Sequence, residues 1–165
     1  MSDKIVIDLT ENFSNVGKEL PFTGEFKLGS DLLPYPNATL DKVNLDFTVT
    51  FDNPNVVVRG TVQCFIGGYC DRCLKELNVM RDLPFNQTFY KDEAEFDDQY
   101  VYTSSLLDVT RAVADEIILS LPMSLLCDED CKGLCPKCGC NLNERQCDCD
   151  VGRDNPFSVL KNLKF

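Results

Sequence analysis

Val43, Leu45, Phe47, Val49 and Phe51 alternate with Lys42, Asn44, Asp46, Thr48 and Thr50. A period of two puts the apolar set on one face of a strand and the polar set on the other. Asp52-Asn53-Pro54-Asn55 follows as a turn signal, and Val56, Val58, Val62, Cys64 and Ile66 then share a face. Together they predict a hairpin with one buried side. Ile5, Ile7 and Leu9 alternate in the same way, as do Leu20, Phe22, Phe26 and Leu28 around Gly24. Gly29 through Pro34-Tyr35-Pro36-Asn37 is rich in turn residues and reads as a loop. Gly67-Gly68 weakens the pattern after the hairpin. Leu77, Val79, Leu83, Phe85 and Phe89 resume it just beyond Cys70-Asp71-Arg72-Cys73, so this CxxC is expected in the connection between two strands.

The period changes after residue 104. Leu106, Val109, Val113, Ile117 and Leu121 form a helical stripe over Ser105–Leu121. Ser105 and Asp108 have capping-box spacing, Arg111 can pair with Asp108 or Asp115 across one turn, and Pro122 marks the stop. Between strands and helix, five of the seven residues Asp92–Asp98 are acidic and read as a solvated loop. Phe157, Leu160 and Leu163 after Asn155-Pro156 predict one more short amphipathic helix. The expected fold is α+β: an antiparallel sheet or partial barrel covered by one main helix, with a C-terminal zinc-knuckle module and a short terminal helix. The corresponding divisions are 1–122 for sheet and helix, 123–152 for the cysteine-rich module and 153–165 for the tail.

Composition narrows the chemistry. The chain has 165 residues, ten cysteines and no histidine. Without histidine, fingers with mixed Cys and His ligands, His-based triads and the usual His-ligated catalytic zinc are all excluded. The start of the chain shows no basic leader followed by an apolar run, and no segment approaches the roughly 20 apolar residues that span a bilayer. A cytoplasmic chain is therefore expected, and in a reducing compartment ten cysteines point to metal rather than to disulfides. The net charge of -11 argues against a surface that coats nucleic acid, which needs Lys and Arg to neutralise phosphates. It suits solubility and basic protein partners.

Seven cysteines fall within the 23 residues from Cys127 to Cys149. Cys135 and Cys138 are two residues apart and followed by Gly139, so both sulfurs can face one ion over a tight turn. Cys147 and Cys149, brought back by Asn141-Leu142-Asn143-Glu144, can complete that site. Cys70, Cys73, Cys127 and Cys131 offer a second four-cysteine site. A mixed site of Cys127, Cys131, Cys135 and Cys138 competes with both. Cys64 lies on an apolar strand face and reads as a small hydrophobe, and Cys140, beyond the glycine, is expected to point away from the first metal. Four protein ligands close a site structurally and leave no open position for catalysis. A thioredoxin-type role for Cys70-Asp71-Arg72-Cys73 requires a βαβ setting, and the flanking pattern is a meander.

Cys70-Asp71-Arg72-Cys73-Leu74, Leu107-Asp108 with Asp115-Glu116-Ile117-Ile118-Leu119-Ser120-Leu121-Pro122, and Asn155-Pro156-Phe157-Ser158-Val159-Leu160 together resemble the YceD family, the large ribosomal RNA subunit accumulation proteins. Cys131-Lys132-Gly133-Leu134-Cys135-Pro136-Lys137-Cys138-Gly139 with Asn141-Leu142-Asn143 is similar to its cysteine-rich variant. The resemblance implies a non-enzymatic role in large-subunit rRNA accumulation and ribosome biogenesis. The implied partners are the large-subunit precursor, its rRNA or a basic ribosomal protein, with no membrane and no small-molecule substrate. Two other readings compete on the cysteines alone. One is a holdase that loses zinc on oxidation; the other is a zinc-ribbon nucleic-acid binder, for which Lys132, Lys137, Arg145 and Arg153 are outnumbered by six neighbouring acidic residues.

Overall fold

The computed structural model describes residues 3–10, 17–29, 33, 38–92 and 99–149. The predicted loop through Pro34–Asn37, most of the acidic segment and the predicted tail helix lie outside them. The chain divides into two compact units, one of Met1–Gly68 with Leu77–Met123, the other of Tyr69–Glu76 with Ser124–Phe165.

The first unit contains strands β1 (Val6–Asp8), β2 (Glu19–Phe26), β3 (Thr39–Asp52), β4 (Asn55–Tyr69), β5 (Glu76–Lys91), β6 (Tyr100–Tyr102) and β7 (Leu106–Asp108), and the helix α1 (Thr110–Ser120). The alternation around Phe47 produces its expected hairpin: β3 and β4 pair antiparallel from Thr39↔Gly67 to Asp52↔Asn55, closed by Asn53-Pro54. Val43, Leu45, Phe47, Val49 and Phe51 are buried together with Val56, Val58, Val62, Cys64 and Ile66. Phe47 stacks on Phe85 of β5 with ring centroids 4.7 Å apart. The opposite face is polar, with Asn44 donating to Gln63 and Gln63 to Asp82 across three strands.

The sheet order is β2-β3-β4-β5-β6, and a separate two-stranded sheet pairs β1 with β7. The larger sheet is not closed, with β2 and β6 at its edges. Its pairing is also not wholly antiparallel, because β6 runs parallel to β5 through Phe89↔Tyr100 and Lys91↔Tyr102. A period of two is the same in both pairing modes, so alternation alone does not reveal direction.

The helix is shorter than its stripe suggested. Residues 106–108 are a strand because β1 pairs with them through Val6↔Asp108, Ile7↔Leu107 and Asp8↔Leu106. Ser105 does not cap a helix; its carbonyl accepts the Leu9 N–H. Asp108 instead accepts the Thr110 N–H at 2.9 Å. Leu107 is buried and Leu106 is 54% exposed, which is strand alternation inside a segment that also fits a helical spacing. From Val109 onward the helical reading holds: Val109, Ala112, Val113 and Ile117 are buried, and Arg111 pairs with Asp115 at 3.6 Å rather than with Asp108. Among the described residues no helix is long and apolar enough to cross a membrane.

Candidate metal centres

All ten cysteines are free thiols, and nine of them lie in the second unit. Its two CxxC loops share one backbone construction. In the loop between β4 and β5, Cys70 N–H donates to Lys75 O at 2.8 Å and Leu74 N–H to Cys70 O at 2.9 Å. In the later loop, Cys135 N–H donates to Cys140 O at 2.9 Å and Gly139 N–H to Cys135 O at 2.8 Å. The residue after the second cysteine is left-handed in both, Leu74 at φ 58° and Gly139 at φ 70°. Glycine takes that conformation freely. Leucine does so at a cost of about 1–2 kcal/mol.

The first loop meets the C-terminal segment to form one group of thiols, Cys70, Cys73, Cys127 and Cys131, whose sulfurs all lie within 4.8 Å of one another. Cys70 and Cys131 are 3.8 Å apart and Cys73 and Cys127 3.5 Å. The two residues between the cysteines of the loop hold this group together. Asp71 accepts the Leu125 N–H at 2.7 Å through its carboxylate and donates its own N–H to Leu125 O. Arg72 Nη1 donates to the carbonyls of Glu129 and Cys131 at 3.2 and 2.9 Å, while its own carbonyl accepts the Leu134 N–H. Gly133 sits at φ 74°, and a Cβ there would stand 2.9 Å from that Arg72 carbonyl. Asn143 Nδ2 donates to Cys131 Sγ at 3.3 Å and Asn143 Oδ1 accepts the Lys132 N–H.

These contacts divide the thiols electrostatically. Burial pushes the Cys70 thiol up, but the N–H groups of Cys73, Cys127 and Arg72 together bring it down to about 6. Cys127, next to the thiols of Cys73 and Cys131, is pushed up to about 12. The group thus mixes thiolate with thiol at neutral pH, a donor set that a cation completes by displacing the remaining protons.

The second group comprises Cys135, Cys138, Cys147 and Cys149, again within 4.8 Å of one another. Cys135 is buried and Cys138 exposed. The backbone N–H of Cys140 and then its thiol hold Cys138 down to about 6. Cys140 is not a member of this group; the neighbouring Cys138 thiol and burial hold its own thiol up to about 12. The Cys135–Cys140 and Leu134↔Asn141 backbone pairings close this loop.

The structure therefore brings together Cys135, Cys138, Cys147 and Cys149 as one set and Cys70, Cys73, Cys127 and Cys131 as another, and either set can hold a metal ion. No group among the described residues joins Cys127 and Cys131 to Cys135 and Cys138. Cys64 is fully buried in β4, and desolvation raises its thiol. Spacing drew attention to the sulfurs and missed Asp71, Arg72 and Asn143, whose roles depend on contacts up to 59 positions apart in the chain. The polar residues inside the first CxxC were the available signal.

The family described as large ribosomal RNA subunit accumulation protein YceD matches residues 58–164, which contain both cysteine groups and α1. The chain belongs to the YceD family. A chloroplastic YceD homologue of Arabidopsis thaliana, named a large ribosomal RNA subunit accumulation protein, is 26% identical over 92% of this chain. An uncharacterized protein of Mycobacterium bovis is 31% identical over 70% of it. The chain spans 57% and 58% of the length of these two relatives. No solved structure matches. The YceD family is named for the accumulation of an RNA and not for a reaction.

Proposed function

We propose that this chain is a non-enzymatic factor for large-subunit ribosomal RNA accumulation and large ribosomal subunit biogenesis, with two structural zinc ions holding its cysteine-rich unit. The family match over residues 58–164 carries the first part, together with the name of the Arabidopsis relative. Sulfur geometry supports the second. Four thiolates about 2.3 Å from one tetrahedral zinc stand about 3.8 Å apart, and the Cys70–Cys131 and Cys73–Cys127 separations of 3.8 and 3.5 Å match that edge. Cys70, Cys73, Cys127 and Cys131 hold one ion, and Cys135, Cys138, Cys147 and Cys149 the other. Each set fills all four positions, so the ions staple loops and leave no place for a substrate.

The charge of -11 favours a basic ribosomal protein over naked RNA as the direct partner in the cytoplasm. A cleft beside the first group supports this reading, because Asp128, Asp130 and Glu144 line it against a single Lys75. Sequence positions 1–122 then act as the body of the factor and 123–152 as the module that zinc keeps in shape.

Depletion of the protein in its source organism tests the role. Sucrose gradients and rRNA quantification should show a selective loss of large subunits and of their rRNA relative to the small subunit. Unchanged large-subunit rRNA and subunit profiles would contradict it.

A further inference from the structure

β2 is an edge of the larger sheet, and one side of its backbone meets no other strand among the described residues. Two observations fix which groups point that way. Lys27, immediately past β2, donates its N–H to the Asp3 carboxylate at 3.0 Å and accepts the Asp3 N–H through its carbonyl at 2.8 Å. Asp3 belongs to no strand of that sheet. Backbone groups reverse direction at each residue of a strand, so Glu19, Pro21, Thr23 and Glu25 face the same open side as Lys27. Pro21 agrees, since a residue without an N–H is tolerated where no ladder bond is needed. Asp3 thus closes one end of the edge with two strand-like bonds, and the stretch from Glu25 back to Glu19 stays open.

The side chains define what kind of strand fits there. Leu20, Phe22 and Phe26 lie opposite the buried Val49, Phe47 and Val43 but are themselves only half-buried, so the apolar face of the sheet runs out uncovered at β2. The Phe22 and Phe26 rings stack with centroids 6.1 Å apart. The opposite face is exposed and acidic: Glu19 and Glu25 stand on it, with Asp46 opposite Thr23. Lys42 is taken up by Glu25 at 3.2 Å, and Lys27 lies at the end that Asp3 closes.

A second copy of β2 does not fit this edge. The antiparallel register that uses all four open residues sets Glu19 against Glu25 twice, and like charges directly opposite are destabilising. Centring the pair on Pro21 opposes two residues without N–H groups. Centring it on Thr23 requires Lys27, whose backbone groups Asp3 holds.

We propose that the Glu19–Glu25 edge of β2 docks an extended segment of a basic protein, paired to it as a further strand and alternating Lys or Arg with apolar residues. This deepens the basic-partner reading above and rests on it. Backbone bonds to the open groups of Glu19, Thr23 and Glu25 supply affinity, apolar side chains of the segment cover Leu20, Phe22 and Phe26, and its cations meet Glu19 and Glu25. The same two carboxylates hold off self-pairing of an exposed edge.

The test uses the full-length protein and three short synthetic peptides: one alternating lysine and valine, one with glutamate in place of lysine, and one with serine in place of valine. Residue-resolved amide exchange reads the binding. The lysine–valine peptide should slow exchange at Thr23 and Glu25 and leave Phe22 and Gly24, which face β3, unchanged. Either replacement in the peptide should weaken binding about tenfold. Glu19→Lys with Glu25→Lys should turn the preference toward the glutamate peptide, and Thr23→Pro, which removes an open donor, should abolish the protection. Circular dichroism checks that both variants fold, and the comparison of peptides on wild type stands without them. Lysine–valine binding that protects other amides, or a glutamate peptide that binds as well, overturns the edge assignment. A wild-type dimer with Thr23 and Glu25 protected in the absence of peptide overturns it as well, making a second copy the occupant. If neither lysine peptide binds anywhere, the basic-partner reading falls too, so the two failures are distinct.

Discussion

Leu74 and Gly139 occupy the same left-handed position in two loops with the same hydrogen bonds, and only one of them is a glycine. The spacing Cys-x-x-Cys was legible for both loops, and glycine marked the turn in one. Nothing in the sequence around Leu74 marks its conformation, because the backbone bonds from Cys70 to Lys75 impose it. Residue-level chemistry also appears far from the thiols. Tyr100 donates to Asp115 at 3.0 Å, and burial, reinforced by that carboxylate, holds its phenol up to about 12. The folded state favours the neutral phenol, so this contribution to stability is fully present below the ordinary value of 10.0 and is lost as pH rises through about 12. An absorbance titration of the phenolates should therefore show a late component near pH 12 that Tyr100→Phe removes. Complete ionisation of wild type near pH 10, where free tyrosine titrates, would count against the contact.

At the scale of elements, the long strands were readable because one face of each is apolar without interruption. Val43 through Phe51 and Val56 through Ile66 fix their own register, since a one-residue slip would turn every apolar side chain to solvent. The short elements were not. Leu106-Leu107-Asp108-Val109 satisfies a helical stripe and a strand alternation equally, and the choice is made by β1, about 100 residues earlier in sequence, through Ile7↔Leu107. Similarly, the direction of β6 is set by its pairing with β5 and not by any feature of its three residues. The core of the first unit offers a direct stability test. Phe47 is 1% exposed and stacked on Phe85, so Phe47→Ala should lower the free energy of unfolding by about 3–5 kcal/mol, measured as a shift in the denaturation midpoint at unchanged slope. A loss below about 1 kcal/mol, the size expected at a surface position, would mean that the hairpin is not packed as described.

For the whole molecule, two units of different construction share one chain. The first has a continuous apolar core, and its stability follows from burial. In the second, buried thiols take the place of a large apolar interior: Cys70, Cys73, Cys131, Cys135 and Cys140 are all buried there. Small units of this kind are held by metal or disulfides. The sequence made the cysteine-only character of this unit plain, and left open how its thiols pair. That pairing depends on bringing the Cys70–Cys73 loop to Cys127 and Cys131 across more than 50 positions, which the contacts of Asp71 and Arg72 achieve. The proposed function gives these thiols two zinc centres. The most direct measurement is metal analysis with zinc X-ray absorption on protein purified without chelator. Two zinc ions per chain are expected, each with about four sulfurs at about 2.3 Å. A metal-free protein that folds with the same cysteine-rich unit, or one whose zinc carries nitrogen or oxygen ligands in place of sulfur, would contradict it.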